Sequence, residues 1–164
     1  MNFKSIRFFI SICILFIGFA FAAWYYKAYK TPPELNKETT ELVSETGASV
    51  KISDFKGKYV LVNYFQTWCG DCIQELESMD TLQNRVGKDR IKVMLISDEP
   101  WDKIKRFKQK YCNTIDYYQS VKTLKSQNIR IFPTSFLLDP SGNVILSKIN
   151  SFAWDSESFI QTIK

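Results

Sequence analysis

Histidine is absent from all 164 residues of the chain. This absence excludes Ser-His and Cys-His catalytic dyads, and it excludes zinc, copper or haem held through imidazole. Cysteine is also scarce: the chain has four, which are too few for the disulfide-dense framework of a small secreted domain. These four are Cys13, Cys69, Cys72 and Cys112. With 45% apolar residues, the chain can instead bury a hydrophobic core, and its length allows one domain with an extension.

The longest uncharged stretch lies near the N-terminus, from Phe8 to Ala23. As a helix, the segment Ile6 to Tyr26 is about long enough to cross a bilayer, at a rise of roughly 1.5 Å per residue. Aromatic residues and lysines follow, as at a membrane interface: Trp24, Tyr25, Tyr26, Lys27 and Lys30. We predict a membrane anchor over residues 1–27. The alternative is a cleaved signal peptide, because Ala20-Phe21-Ala22 fits a cleavage site. Either segment exports the rest of the chain.

A linker is predicted over residues 28–41 and a single α/β domain over residues 42–164. The linker prediction depends on Pro32-Pro33 and on charges of alternating sign. At the start of the domain we expect a β-hairpin over Leu42–Phe55, because Thr46-Gly47 supplies turn chemistry between two short alternating flanks.

A strand, a helix and a second strand form the predicted centre of the domain. They are Tyr59–Phe65, Gly70–Val86 and Ile91–Ile96, and because a helix connects the two strands, these should be parallel. Gly87 follows the helix as a residue free to adopt a positive φ. The other expected elements are a helix from Pro100, a strand at Ile115–Tyr118, a helical turn at Val121–Lys125, strands at Thr134–Leu138 and Asn143–Ile149, and a helix near Asp155–Ile163.

The central helix opens on the motif Cys69-Gly70-Asp71-Cys72. A cysteine at a helix N-terminus faces unpaired amide N–H groups and the positive end of the helix dipole, which favour a thiolate over a thiol. Cys72 lies one turn along, where it can reach back to Cys69. A disulfide closed over two intervening residues is a tight ring, more suited to being made and broken than to holding a fold together. The spacing therefore predicts a redox pair.

A zinc site is the alternative interpretation of the cysteine pair. Zinc needs four ligands, and the only other cysteines are Cys112 and the anchor residue Cys13. We therefore expect no metal at the pair, and we interpret Cys112 as a small buried hydrophobe.

The chain resembles the thioredoxin superfamily, and within it the exported, membrane-tethered TlpA/ResA-type thiol–disulfide oxidoreductases. The matching segments are Asp54-Phe55-Lys56-Gly57-Lys58, Asn63-Tyr64-Phe65, Trp68-Cys69-Gly70-x-Cys72, Glu75 and Phe132-Pro133-Thr134. The resemblance covers about residues 42–164, and its motifs fall in the family's order. It implies a thioredoxin-like fold, a central mixed β-sheet flanked by helices, after the hairpin and the anchor or signal helix. The chain departs from the family where Asp71 and Glu77 replace frequent prolines.

The resemblance implies roles for three residues beyond the cysteines. In the family, the proline at Pro133 is cis and lies against the active disulfide, which leaves the backbone of Phe132 free to pair with an extended substrate. Glu75 occupies the position of a proton-handling carboxylate, and our hypothesis is that it relays protons to or from Cys72. The alternative is a solvated glutamate on a helix surface. Asn63 stands where cytosolic thioredoxins have a buried aspartate, and an amide cannot act as a base.

Trp68 and Asp71 complete the predicted site. Trp68 is expected to shield the disulfide and to pack under it. Asp71 places a carboxylate in the first turn, where it opposes the positive helix end and disfavours ionisation of the Cys69 thiol. A thiol that ionises less readily favours a reductant over a strong oxidant.

The predicted function is thiol–disulfide exchange on the extracytoplasmic, periplasmic side of a membrane, with Cys69 attacking a partner's disulfide and Cys72 resolving the intermediate. The resemblance implies protein disulfides as substrates, among them the haem-attachment cysteines of apocytochrome c, and a membrane thiol-transfer protein as electron donor. No cofactor is expected. Nucleic acid is not expected as a partner of an exported chain.

Two other functions remain as alternatives. A Cu(I) chaperone would use Cys69 and Cys72 as soft ligands, but the chain lacks histidine and a methionine cluster. A thiol peroxidase would carry Pro-x-x-x-Thr-x-x-Cys, but Val62 and Gln66 fill the proline and threonine positions.

The net charge of +5 is densest over Lys103–Lys110. Apolar residues recur there at helical spacing, so we predict a solvated face of an amphipathic helix. An acidic partner or an anionic lipid surface is the alternative.

Overall fold

The computed structural model describes residues 3–37, 40–112 and 114–163. It divides the chain into two compact units, Met1–Thr31 and Pro32–Lys164. Two residues of the predicted linker, 38 and 39, lie outside the described residues.

The first unit is a single helix, α1, over Phe3–Tyr29. Its segment Phe9–Lys27 has 19 residues and a mean hydropathy of 2.0, so by length and composition it can cross a membrane. None of this segment is buried in the structure, as expected for a helix whose apolar residues occupy all of its faces. A signal sequence satisfies the same criteria, so the choice between anchor and signal stays a prediction.

The second unit is built on one seven-stranded sheet in the order β2-β1-β5-β4-β3-β6-β7. The strands are β1 Leu42–Ser44, β2 Ser49–Val50, β3 Tyr59–Tyr64, β4 Ile91–Ser97, β5 Asp116–Ser120, β6 Thr134–Leu138 and β7 Val144–Ile149. The helices are α2 Gly70–Val86, α3 Trp101–Tyr111 and α4 Glu157–Thr162, with short 3₁₀ helices at Ile52–Phe55 and Leu124–Gln127. Strands β3, β4 and β5 run parallel, while β6 is antiparallel to β3 and to β7. The predicted mixed sheet is confirmed.

The predicted strand–helix–strand centre matches the structure closely. α2 spans the predicted residues, and the parallel register of β3 and β4 pairs Tyr59 with Ile91. Gly87 ends α2 at a φ of 94°, a conformation that glycine adopts without a Cβ penalty. The hairpin at the start of the domain is also confirmed, since β1 pairs antiparallel with β2.

One predicted element is wrong in position. A helical turn was expected at Val121–Lys125, but the 3₁₀ helix occupies Leu124–Gln127. Its start is fixed by a cap, because the Thr123 side chain accepts the N–H of Ser126. β5 runs to Ser120 rather than to the predicted Tyr118, so residues 121–123 form a short bend between this strand and the 3₁₀ helix.

Both faces of the sheet are covered by apolar residues, which explains why β3 and β4 are nearly continuous apolar runs. Side chains alternate between two core clusters along β3: Leu61 lies in one cluster, and Val60 and Val62 lie in the other. The cluster with Leu61 also receives the buried faces of α2, α3 and α4. This cluster contains Cys69, Cys72 and Trp154.

The basic helix α3 has the amphipathic face that its spacing predicts. Ile104 and Phe107 are buried, whereas Lys105 and Arg106 are exposed. Three of its cations have acidic partners: Lys103 with Glu99, Arg106 with Asp102 and Lys108 with Glu45. The basic residues are therefore a solvated helix face, as predicted.

We predict that Ile104→Ala lowers the free energy of unfolding by about 2 to 5 kcal/mol, because it leaves a cavity at a fully buried position. Urea unfolding of the full-length protein in detergent micelles, followed by near-ultraviolet circular dichroism, measures the change. The control is Lys105→Ala, an exposed neighbour on α3, which should change the free energy by less than about 0.5 kcal/mol. Equal losses for the two variants would contradict the orientation of α3.

Candidate active site

The end of β3 and the start of α2 place the two reactive sulfurs. β3 ends at Tyr64 and α2 begins at Gly70, so Cys69 is the helix N-cap, with extended φ and ψ of −84° and 108°. Its Sγ accepts the N–H of Cys72 at 3.2 Å. Cys69 and Cys72 form a disulfide with their Cα atoms 5.3 Å apart. The structure therefore shows the oxidised pair at the helix end where amide N–H groups stabilise a thiolate.

The disulfide is almost closed to solvent. Cys69 is 6% exposed and Cys72 is 2% exposed, so Cys69 is the less deeply buried of the two residues. Gly70 and Asp71 are exposed on the first turn of α2. An added Cβ at Gly70 would meet no atom within 4 Å, so the surface over the disulfide is open beside this residue.

The prediction that Trp68 packs under the disulfide is wrong. Trp68 is 72% exposed, and its ring meets Phe132 edge to face, with centroids 6.0 Å apart. A ring this open to solvent cannot serve as core packing, and it forms an aromatic pair with the half-buried Phe132 instead. Edge-to-face contact is the favoured geometry of such a pair.

The Phe132–Pro133 peptide bond is cis, as the resemblance implies. β6 starts at the next residue, Thr134, which pairs with Tyr64 at the end of β3. The hydroxyl of Thr134 donates to the carbonyl of Ile131 at 2.7 Å and so closes the turn around the proline. This register places the proline at the same end of β3 as the strand–helix connection that carries Cys69.

Glu75 is a buried carboxylate, so the alternative of a solvated glutamate is wrong. The side chain is 2% exposed and lies one turn beyond Cys72 on the buried face of α2. Its Oε1 accepts the indole N–H of Trp154 at 2.5 Å and the amide N–H of Phe152 at 3.0 Å. Its Oε2 accepts the side-chain N–H of Asn63 at 3.0 Å.

Burial is the main cause of the altered acidity of Glu75, and its three hydrogen-bond donors are neutral. Burial raises the pKa of Glu75 to about 7, against the opposing effect of the hydrogen bonds from Trp154, Phe152 and Asn63. Asn63 also donates to the Ser135 hydroxyl at 2.8 Å, across the register of β3 and β6. The carboxyl group is therefore poised to gain or lose a proton near neutral pH.

Sequence reasoning identified Glu75 and Asn63 but missed Trp154 and Ser135. Trp154 lies in a stretch without periodicity before α4, 79 residues from Glu75. The one available signal was that a tryptophan among apolar residues needs a partner for its N–H.

The other cysteines lie outside the site. Cys112 is half-buried rather than buried as predicted, and its Sγ lies 3.3 Å from the hydroxyl of Thr114. Cys13 is exposed on α1, in the other unit.

A thioredoxin-like α/β fold, with a disulfide at the start of α2 and a cis-proline before β6, defines the class of protein. The sequence model of the AhpC/TSA family matches residues 33–147, and the chain belongs to this family.

Relatives of known name support the same class. The chain is 27% identical over 136 residues to thiol-disulfide oxidoreductase ResA of Bacillus cereus (strain ATCC 10987 / NRS 248), over 79% of this chain and 77% of the relative. It is 30% identical over 103 residues to ResA of Geobacillus kaustophilus, over 60% of this chain and 58% of that one.

Solved structures resemble the fold. A protein of Chlorobium tepidum described as a thiol:disulfide interchange protein, DsbE, superposes with a TM-score of 0.65 at 26% identity, over 79% of this chain and 96% of that one. StoA from Bacillus subtilis superposes with a TM-score of 0.61 at 20% identity, over 76% and 95%, and shows the fold alone. The relatives and the fold confirm the resemblance stated from the motifs, and the enzyme class is thiol–disulfide oxidoreductase.

We predict that Glu75→Gln removes a pH-dependent loss of stability. The unfolded chain releases this proton near the ordinary pKa of 4.5, whereas the folded protein keeps it up to a pKa of about 7. The contribution of Glu75 to stability is therefore full at low pH and is lost as pH rises through this window, by about 3 kcal/mol in all. Urea unfolding of the oxidised protein between pH 4 and 8 measures it. Glu77→Gln, an exposed change on the same helix, is the control and should keep the wild-type slope.

An unchanged slope in Glu75→Gln would contradict the assignment of this titration to the buried carboxyl group. A slope lost in both variants would attribute it to the general charge of α2 instead.

Proposed function

We propose that the protein is an exported reductant of protein disulfides, held at the membrane by α1 with its catalytic domain on the extracytoplasmic, periplasmic side. The observation that carries the proposal is the Cys69–Cys72 pair at the N-terminus of α2, one turn from a buried carboxyl group. The length and apolar composition of α1 support the location, with a cleaved signal peptide as the alternative.

The reaction starts from the reduced pair and transfers two electrons. The Cys69 thiolate attacks one sulfur of the substrate disulfide, forms a mixed disulfide and releases the other substrate sulfur as a thiolate. Cys72 then loses its proton and attacks the Cys69 sulfur, which releases the second substrate thiolate and leaves the Cys69–Cys72 disulfide. The two substrate thiolates take up protons. This end state is the oxidised pair that the structure contains.

Glu75 is proposed to take the proton of Cys72 in the resolving step. Both residues are on the buried face of α2, one turn apart, where water has little access. A carboxyl group with a pKa of about 7 accepts and returns a proton near neutral pH, which suits a general base. The neutral partners of Glu75 stabilise its ionised form without fixing it in one protonation state.

Substrate is proposed to bind over Cys69 as an extended segment. The exposed ring of Trp68 and the ring of Phe132 offer an apolar contact, and the backbone before the cis Pro133 offers hydrogen-bonding groups. Gly70 and Asp71, which follow Cys69 on the first turn of α2, are exposed and leave room for such a segment.

The substrates are proposed to be disulfides of extracytoplasmic proteins, including those formed by the haem-attachment cysteines of apocytochrome c. Because each turnover leaves the pair oxidised, a donor must reduce it again. We propose that this donor is a membrane thiol-transfer protein. As an anchor, α1 would hold the chain in the same membrane as the donor.

We predict that the wild-type protein catalyses reduction of insulin disulfides by dithiothreitol and that Cys69→Ser abolishes turnover, because the attacking thiolate is lost. Cys72→Ser should instead trap a mixed disulfide with the substrate, visible on a non-reducing gel. Cys112→Ser is the matched control and should keep full turnover, since this half-buried thiol lies outside the site.

Two other results would decide for the alternatives. Tight one-to-one binding of Cu(I) by the reduced protein, without turnover, supports a copper chaperone. Consumption of hydrogen peroxide that survives in Cys72→Ser supports a thiol peroxidase.

A Glu75→Gln variant whose turnover keeps the wild-type pH profile would end the proton-relay proposal but leave the exchange reaction intact.

We predict that Asp71→Asn makes the reduction potential of the pair less negative, by roughly 20 mV. The carboxylate in the first turn of α2 opposes a thiolate at Cys69, by about 1 kcal/mol for charges near 4 Å in water-like surroundings. Equilibration with glutathione redox buffers measures the potential. Glu77→Gln removes an exposed charge farther along the helix and should leave it unchanged. An unchanged or more negative potential in Asp71→Asn would overturn the role of Asp71 in favouring a reductant.

A further inference from the structure

The loop that follows β4 forms hydrogen bonds with the residues that precede Cys69. Glu99 follows β4, and its side chain is only 10% exposed. Its Oε2 accepts the backbone N–H of Thr67 at 2.6 Å, and its Oε1 accepts the Thr67 hydroxyl at 3.0 Å. Both carboxylate oxygens thus bind a single residue, two positions before the attacking cysteine.

A second carboxylate in the same loop repeats the arrangement. One oxygen of Asp98 accepts the side-chain N–H of Gln66 at 2.7 Å, and the other accepts the backbone N–H of Leu124 at 2.8 Å. Consecutive acidic residues after β4 therefore bind consecutive residues of the connection between β3 and α2. Oxygens of a carboxylate that accept two N–H or O–H groups make strong, directional contacts.

These contacts bear on the position of the Cys69 sulfur. The N–H of Cys69 donates to the carbonyl of Gln66 at 3.0 Å, so Gln66 to Cys69 forms one hydrogen-bonded turn. Thr67 and Trp68 are the two central residues of this turn. A shift of Thr67 therefore moves both the exposed indole and the N-cap that keeps Cys69 at the end of α2.

A purely local role does not account well for Glu99. Surface loops are ordinarily satisfied by water, whereas this carboxylate is nearly closed to solvent and has Lys103 at 3.6 Å as its cation. Its partner Thr67 belongs to a different element, 32 residues away. The burial of a charge at this place suits a group that fixes the geometry of the reactive turn.

We propose that Glu99 is a positioning residue for disulfide exchange: it holds Thr67, and through it the Cys69 thiolate and Trp68, in the orientation for attack. The proposal rests on the proposed function of the same site. It does not make Glu99 a catalytic residue, because its carboxylate contacts Thr67 and Lys103 rather than the sulfurs.

The test compares Glu99→Ala with Glu99→Gln. Both variants lack the charge, but the glutamine amide can accept the Thr67 N–H and donate to the Thr67 hydroxyl, whereas alanine can do neither. A difference in rate between these two variants therefore reports the loss of the hydrogen bonds to Thr67 and not the loss of the charge. Asp102→Ala is the control, since it removes an exposed carboxylate that pairs with Arg106 at the start of α3.

The measurements use the full-length reduced protein in detergent micelles. They are kcat/KM for insulin reduction, and the iodoacetamide alkylation rate of Cys69 as a function of pH. We expect Glu99→Ala to lie about tenfold below Glu99→Gln in kcat/KM, because small misplacements of a reacting group are costly. We expect its alkylation at pH 7 to be about threefold slower, because the thiolate loses part of the helix-end stabilisation. Asp102→Ala should match wild type.

A merely structural role would lower the melting temperature of Glu99→Ala and leave the alkylation rate of the folded protein unchanged. Equal values for Glu99→Ala and Glu99→Gln in both measurements would overturn the proposal. If the wild type itself does not reduce insulin, the proposed function fails, and the alkylation ratio still tests the positioning role.

Thr67→Val and Thr67→Ser provide a second pair if Glu99→Ala does not fold. Valine loses the hydroxyl contact to Glu99, while serine keeps it. Slower alkylation in the valine variant alone supports the proposal, and equal rates in the two variants overturn it.

Discussion

The buried carboxyl group of Glu75 links α2 to the central sheet and to the segment before α4, and the rest of the domain depends on these hydrogen bonds. It takes hydrogen bonds from Asn63 on β3 and from Phe152 and Trp154 in the segment before α4, while Asn63 extends the network to Ser135 on β6. A carboxylate buried without these donors would be strongly destabilising, so the sheet, α2 and the C-terminal segment must assemble around it together. Fully paired, the same network fixes how α2 lies on the sheet, and it thereby fixes where the helix begins.

The packing of α2 determines the positions of the two cysteines at its start. β3 delivers the chain to the sheet end, Cys69 caps the helix, and Cys72 follows on the buried face. The result is an asymmetric pair: Cys69 is the less deeply buried residue and follows the exposed Trp68, whereas Cys72 is deeper, one turn from Glu75. Exchange needs this asymmetry, because the first sulfur must meet a large substrate and the second must attack only the first.

Features that depend on local sequence pattern could be predicted from the sequence. Features that depend on contacts between residues far apart along the chain could be predicted less well. The apolar run of β3 and the helical spacing of α2 fixed the centre of the domain, and Gly87 marked the helix end. Trp154 could not be predicted as a partner of Glu75, since no periodicity links residues so distant. Trp68 was misjudged because tryptophan is usually buried, whereas an exchange site needs an exposed apolar surface. Glu99 was missed because polar loop residues are ordinarily solvated.

Glu75 and Cys72 are both buried on the same face of α2, one turn apart, and the proposed relay depends on this proximity. In the reduced protein, a thiolate at Cys72 and a carboxylate at Glu75 would be like charges in the same low-dielectric interior, so ionisation of one opposes ionisation of the other. A proton leaving Cys72 therefore raises the affinity of Glu75 for it. In the proposed resolving step, this coupling favours transfer of the Cys72 proton to Glu75. In the proposed reaction, closure of the disulfide removes the sulfur charge that opposed ionisation of Glu75, so the carboxyl group can release the proton again.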